Sequence, residues 1–303
     1  MASKETVGFI GLGAMGRGMA ANCAKKGFDL VVCDINPEPV AALVKLGARA
    51  ASTPAEVAKA ATLVITVLPT GKEVDAVVMG QGGVLDTLAA GSLVMDLSTI
   101  DPETTDKLHS EGRKRSVRTV DAPIGRLAWH ADRGESLFMV GAEPEDFERV
   151  RPLLEAMGTT IHHCGAGGTG TRTKLVNNYL AIILCQLNAE ALALTQRFGL
   201  DLANTLDVIH GTTATNGQLK INWPNKVLAG DTSPGFTIDL AHKDLSLIMA
   251  AANAARVPLP VAAAAREMFS AARARGYGGQ DFSAMGDLMC DLIQAERPRL
   301  KKG

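Results

Sequence analysis

The 303 residues are enough for two domains with full cores. With 31 Lys and Arg against 32 Asp and Glu, the net charge of −1 argues against a nucleic-acid groove or an anionic membrane surface as partner. Five scattered cysteines with no CxxC fit a reducing compartment better than a disulfide framework.

Taken in chain order, the pattern opens with a strand over 7–10. It runs at once into Gly11-Leu12-Gly13-Ala14-Met15-Gly16 and a helical stretch over 17–26. Gly27 ends that helix, and a second strand over 30–33 closes on Asp34. A lone GxGxxG is a weak signal. A strand before it, a helix after it and an acid about twenty residues on at a strand end make it a dinucleotide fingerprint. The glycines allow a tight turn and close backbone approach to a pyrophosphate seated on the helix N-terminus. Asp34 is placed to accept from the ribose 2′ and 3′ hydroxyls and to repel a 2′-phosphate. Residues 35–37, Ile-Asn-Pro, bring no arginine for such a phosphate, so the expected cofactor is NAD.

Strands and helices then alternate. A strand over 63–68 ends in Pro69-Thr70, and a helix follows over 71–79. A strand over 93–97 ends in Ser98-Thr99 before a helix over 102–113. The strand over 117–120 leads into Asp121-Ala-Pro-Ile-Gly125-Arg126, and strands over 137–140 and 160–163 flank a helix over 144–157. This order predicts an α/β Rossmann fold with a doubly wound, mostly parallel sheet. Ligands of such sheets bind beyond the strand C-termini, which puts Leu68, Pro69, Ser98, Thr99, Gly125 and Arg126 on the dinucleotide rim. His162-His163-Cys164 has the residue types of a metal cluster, but neighbours on a strand point to opposite faces, so no metal is expected.

Four glycines lie within 165–170, more than a regular element tolerates, so the chain there is loose or closely approached. We place the domain boundary at this run: a nucleotide-binding domain over 1–165 and an all-helical C-terminal domain over 166–303. Helices are predicted over 174–198, 202–210, 239–255, 260–275 and 283–294. Lys174, Asn177, Asn178 and Ala181 share one face of the first, amid apolar neighbours that suggest burial of the whole segment. A buried lysine beside two amides is costly unless it has a function. The longest apolar run, 180–194, is broken by Gln186, Asn188 and Glu190, so no membrane span is expected. Stretches apolar all round, 181–194 and 245–255, suggest burial between subunits as well as within one. The N-terminal nine residues lack a signal-peptide apolar core, and the basic segment 297–302 reads as a solvated tail. A soluble, cytoplasmic protein is expected.

GFIGLGAMGRGMA over 8–20, Leu68-Pro69-Thr70, Asp96-Leu-Ser-Thr99, Asp121-Ala-Pro123, Gly168-x-Gly170-x-x-x-Lys174-x-x-x-Asn178 and His242-Lys243-Asp244-Leu245 occur in this order. In these motifs the chain resembles the β-hydroxyacid dehydrogenases, which include 3-hydroxyisobutyrate, tartronate-semialdehyde and 4-hydroxybutyrate enzymes. The resemblance implies a Rossmann domain followed by a helical domain, a homodimer or homotetramer, and a small anionic aldehyde or hydroxyacid as substrate. It makes Lys174 the catalytic residue and Asn178 its companion, with Asn177 helping to fix the substrate and Lys243 closing over the cofactor and substrate. Ser98 and Thr99 would meet the substrate and the nicotinamide ribose.

One departure bears on the substrate. Most of the family reads Asp-Ala-Pro-Val-Ser-Gly-Gly, where small residues and backbone amides cradle a carboxylate. Here Gly125-Arg126-Leu127 puts a permanently charged donor fork beside the acid group. This resembles the 3-sulfolactaldehyde reductase branch, where such an arginine and paired asparagines hold a sulfonate. That branch usually has threonine where Leu127 stands. Arginine serves either anion, so a 4-hydroxybutyrate or 3-hydroxyisobutyrate dehydrogenase acting on a carboxylate semialdehyde is the alternative.

Overall fold

The first strands are apolar at nearly every position, as strands covered on both faces must be. The computed structural model describes residues 5–300. Its N-terminal part runs β1 (Thr6–Ile10), α1 (Gly16–Lys25), β2 (Asp29–Cys33), α2 (Pro37–Val44), β3 (Arg49–Ala50), α3 (Pro54–Ala60) and β4 (Leu63–Thr66). Next come α4 (Gly71–Val74), α5 (Val84–Thr87), β5 (Leu93–Asp96), α6 (Pro102–Lys114), β6 (Arg118–Asp121) and β7 (Ile124–Gly125). The series closes with α7 (Ala128–Arg133), β8 (Ser136–Gly141), α8 (Pro144–Met157) and β9 (Gly158–Gly165).

The sheet order is β3-β2-β1-β4-β5-β6-β8-β7, with β9 paired to β8. Pairing is parallel from β3 through β6. At β8 it reverses, antiparallel to β6 and β7 and parallel to β9. Side chains alternate between two cores, as the period of two requires. Phe9, Val32, Ile65 and Met95 pack with α1 and α8, whereas Ile10, Val31, Val64 and Val94 pack with α3 and α6. This is the doubly wound Rossmann arrangement. Some local readings change. The strand expected over 63–68 stops at Thr66, and the helix expected over 71–79 is α4 followed by a π turn over Asp75–Met79. Helix α2 has little sequence signal, with two prolines in eight residues; Pro37 fits the first helical position and Asn36 caps it through the Glu38 N–H.

The chain divides into two compact units, residues 1–174 and 175–303, and the division falls inside α9 (Thr169–Arg197). The second unit continues with α10 (Leu202–His210), α11 (Ile238–Ala254), α12 (Pro260–Ala274) and α13 (Met285–Leu292). No strand pairing joins the described residues there beyond an isolated bridge of Thr237 with Asp281. Asp201 and Thr237 cap α10 and α11, and Ile182, Trp223, Leu245, Phe269 and Leu288 form the core.

Three expectations about this unit are corrected. Helix α9 begins at Thr169, inside the glycine run, instead of at Lys174. It is not buried all round: Val176, Leu180, Leu187 and Leu194 are exposed, whereas Ile182, Cys185 and Ala189 are buried. The basic end is not a solvated tail, because Arg299 grips Asp287 at 2.6 and 2.7 Å and Arg297 pairs with Asp291 at 2.8 Å. Its Lys301 and Lys302, like residues 1–4 of the N-terminal reading, lie outside the described residues. By length and composition α9 passes as a membrane span, but 56% of its most apolar window is buried in the protein, as in a core helix. The polar residues of the run are used internally: Gln186 donates to Glu190, and Asn188 exchanges amide bonds with Asn216.

Candidate active site

The glycine loop after β1 is shaped by its first and third glycines. Gly11 has φ +92°, and a Cβ there would stand 2.2 Å from the Val67 carbonyl oxygen. A Cβ on Gly16 would stand 2.0 Å from the Gly11 oxygen. Gly13 meets nothing within 4 Å and faces a cavity of about 640 Å³ lined by Ala14, Arg17 and Asn36. Met15 at the α1 N-terminus provides no side-chain cap, and no acid lies in the first turn, so the positive end of the helix is left for an anion. Asp34 ties the loop to the end of β2: its Oδ2 accepts from Leu12 N–H at 2.5 Å and its Oδ1 from Asn36 N–H at 2.7 Å. Each oxygen keeps a lone pair for a ribose hydroxyl. These residues fit a dinucleotide. The arginine missing from 35–37 has a counterpart the sequence reading passed over, since Arg17 of α1 lines the same cavity as Asn36.

The glycines separate two effects. Gly16→Ala is expected to lose about 1–3 kcal/mol of stability through overpacking, whereas Gly13→Ala should stay within about 0.5 kcal/mol and weaken NADH binding. Urea unfolding and NADH titration of the two variants check this.

The rim carries a buried hydrogen-bond relay. Asp96 Oδ1 accepts from Thr66 Oγ1 at 2.7 Å and from Ser98 Oγ at 2.6 Å, and Ser98 Oγ accepts from Leu68 N–H at 2.9 Å. Ser98 therefore holds the end of β4 in register with the end of β5. Its hydroxyl proton is committed to Asp96. Thr99 is half-buried and Pro69 exposed on the same rim. Burial pushes the Asp96 carboxyl up to about 6, against the hydroxyl donors that favour its charge. A folded pKa above the unfolded value favours the protonated fold. The associated stability is full below about pH 4 and is lost as pH rises through 6, amounting to about 3 kcal/mol. Asp96→Asn keeps an acceptor at Oδ1 and has no proton to lose. Its stability relative to the native chain should therefore rise by about 3 kcal/mol between pH 4 and pH 7, measured as paired urea midpoints.

In the loop after β6, Gly125 is buried on β7, where a Cβ would stand 3.0 Å from Leu137 Cδ2. Arg126 has φ +71°, a conformation that costs an L-residue roughly 1–2 kcal/mol. Its Nη1 donates to the Glu135 carbonyl at 2.5 Å and to Thr159 Oγ1 at 3.0 Å, and its Nη2 donates to Thr160 Oγ1 at 3.0 Å. The guanidinium is exposed, and Nε–H and one Nη2 proton remain for an anion. His163 stacks on Phe147, with ring centroids 4.4 Å apart, and its Nε2 meets the Ala142 carbonyl at 2.8 Å.

Lys174 and Asn178 stand one turn apart on α9 and are 9% and 5% exposed. In the second unit, Asn178 Nδ2 donates to Asp244 Oδ2 at 2.7 Å, and its Oδ1 accepts from Asn177 Nδ2 at 3.1 Å. Asn177 itself is exposed. Lys243 Nζ lies 3.2 Å from Asp244 Oδ1. Asp244 thus joins two predicted site residues, Asn178 and Lys243, and Asn177 is linked through Asn178. The sequence reading quoted it only as part of a motif, although an acid directly after Lys243, just before the apolar run of α11, was a usable signal.

Residues 6–165 match the family model of the NAD-binding domain of 6-phosphogluconate dehydrogenase. Residues 168–289 match the NAD-binding model of NADP-dependent 3-hydroxyisobutyrate dehydrogenase. The chain belongs to the 3-hydroxyisobutyrate dehydrogenase family. Within it, the chain is 45% identical to the 3-sulfolactaldehyde reductase of Escherichia coli K12, over 92% of this chain and 94% of that one. It is 37% identical to the 3-hydroxyisobutyrate dehydrogenase of Pseudomonas aeruginosa, over 93% and 97% of the two chains. Among solved structures, 3-hydroxyisobutyrate dehydrogenase of Mycobacterium tuberculosis with L-serine superposes with a TM-score of 0.87 at 30% identity, covering 94% of this chain and 99% of that one. This protein is an NAD-dependent hydroxyacid dehydrogenase, and the glycine loop and Asp34 are the residues that suit the cofactor.

Proposed function

We propose that the chain catalyses the reversible, NADH-dependent reduction of 3-sulfolactaldehyde to 2,3-dihydroxypropane-1-sulfonate. The observation that carries this reading is Arg126. An arginine stands in a glycine-like backbone conformation, at a cost to the fold, in a loop where most of the family has small residues. The 45% identity to a named 3-sulfolactaldehyde reductase supports the same substrate.

When bound, the dinucleotide supplies the hydride that reaches the aldehyde carbon. The Lys174 ammonium donates a proton to the carbonyl oxygen as it becomes an alkoxide, and the neutral amine takes it back in the reverse direction. Asn178, oriented by Asp244, hydrogen-bonds the lysine or the substrate hydroxyl, and Asn177 helps fix the substrate. Arg126 and the Gly125 backbone receive the sulfonate, while Ser98 holds the Leu68 main chain in place. The main chain of 11–16, Asp34, Leu68, Pro69 and Thr99 hold the cofactor, and Lys243 covers it. The exposed row Val176, Leu180, Leu187, Leu194 and Phe198 repeats at helical spacing and supports a homodimer or homotetramer. Five free cysteines support a cytoplasmic location.

Leu127 favours the second reading, a carboxylate semialdehyde, because it lacks the hydroxyl expected beside a third acceptor oxygen. The test is NADH oxidation at 340 nm with 3-sulfolactaldehyde, succinic semialdehyde and methylmalonate semialdehyde. The highest kcat/KM on the sulfonate supports the first reading; the highest on a carboxylate replaces it with the second.

A further inference from the structure

Glycines at 167, 168 and 170 make an unpromising start for a helix that must hold a catalytic amine still. The first unit explains how the run is restrained. Asp121, at the end of β6 and 1% exposed, spends both carboxylate oxygens on it: Oδ1 accepts from Gly168 N–H at 2.6 Å and Oδ2 from Thr171 N–H at 2.7 Å. These are donors that a helix N-terminus leaves unsatisfied, and the negative charge sits at the positive end of α9. Asp121 is itself held. His109 of α6 brings Nε2 to 3.1 Å from Oδ1, and its Nδ1 lies 2.6 Å from Thr119 Oγ1. Because a carboxylate only accepts, Nε2 carries the proton and Nδ1 takes the threonine hydroxyl in the neutral ring.

The glycines are the space this grip requires. A Cβ on Gly167 would stand 2.6 Å from the His109 ring, and one on Gly170 would stand 2.2 Å from the Met139 carbonyl oxygen. Helix α6 adds two more holds on the same turn. Thr105 Oγ1 lies 3.1 Å from Thr171 Oγ1, and Asp106 takes both terminal nitrogens of Arg172 at 3.0 and 2.8 Å. Lys174 follows Thr171 by three residues, less than one turn of helix.

We propose that Asp121, backed by His109, is a positioning residue for Lys174: it clamps the first turn of α9 and so fixes where the lysine amine stands. This rests on Lys174 being the proton donor. Asp121 does not touch the substrate; it acts through the helix. A displacement of about 1 Å at a reacting group costs up to about 100-fold in rate.

The test uses the full-length enzyme with NADH and its best aldehyde. Asp121→Asn keeps one acceptor oxygen and puts an NH2 group against the other amide. It should lower kcat by about 10- to 100-fold, with KM and NADH affinity within about threefold, and Asp121→Ala should be worse. Amide hydrogen exchange over 168–174 should accelerate in both, beyond any change in β1 or β4. His109→Ala, which leaves both clamp bonds possible, should give a smaller change in the same direction and serves where Asp121→Ala does not fold. Unchanged kcat and exchange in Asp121→Asn, or a kcat loss matched by the loss of folded enzyme, overturns the clamp. Lys174→Ala tests the underlying reading separately. If that variant keeps turnover, the lysine reading fails, and the exchange data still decide whether Asp121 holds the helix.

Discussion

Lys174→Ala is expected to lower kcat by about 10²–10⁴-fold, the range that a positioned proton donor supplies. Lys174 is 9% exposed as a residue, on a face shared with Asn178, where a long cationic side chain is costly to place without a function. NADH affinity should change by less than about threefold, because the glycine loop and Asp34 lie on other elements and keep their contacts. Lys174→Arg sharpens the test. Guanidinium retains the charge but does not give up a proton near neutral pH, so the variant should be as slow as the alanine if proton transfer is the function. Recovery of turnover in Lys174→Arg would instead assign the lysine an electrostatic role. Steady-state kcat and a fluorescence titration of NADH on each variant are sufficient.

The parts of this protein legible in the sequence are those whose physics is local. The strand, glycine loop, helix and terminal acid from β1 to Asp34 lie within one short stretch. Each glycine there has a separate steric reason: two pack against backbone and one opens to the cavity. The alternation of buried strands and amphipathic helices likewise specifies the doubly wound sheet. What was not legible is pairing over distance. Nothing in the pattern links Asn178 to Asp244, 66 residues on, or Asp121 to Gly168 and Thr171, 47 and 50 residues on. The start of α9 was misread for that reason. Glycine propensity argues against a helix at 169–173, and a carboxylate from another strand overrides it. The exposed row of α9 was not legible because apolar residues all round a helix do not say which side the same chain covers.

Arg126→Ala is the variant expected to separate the two substrate readings. Its guanidinium is already tethered to Thr159, Thr160 and the Glu135 carbonyl, so its two remaining donors come to an anion with little side-chain entropy left to lose. A hydrogen bond to a charged group contributes about 1.5–3 kcal/mol, so kcat/KM for 3-sulfolactaldehyde should fall by about 10- to 100-fold. For a carboxylate semialdehyde held mainly by backbone amides the loss should be smaller, and the preference between the two should narrow or invert. Arg126→Gly gives an independent check, because glycine adopts φ +71° without strain. It should lose the same activity as the alanine while gaining stability over it by about 1 kcal/mol. Equal losses on sulfonate and carboxylate would make Arg126 a general anion hold. No loss on either would reduce it to a brace between β7 and β9, with specificity set elsewhere in the loop.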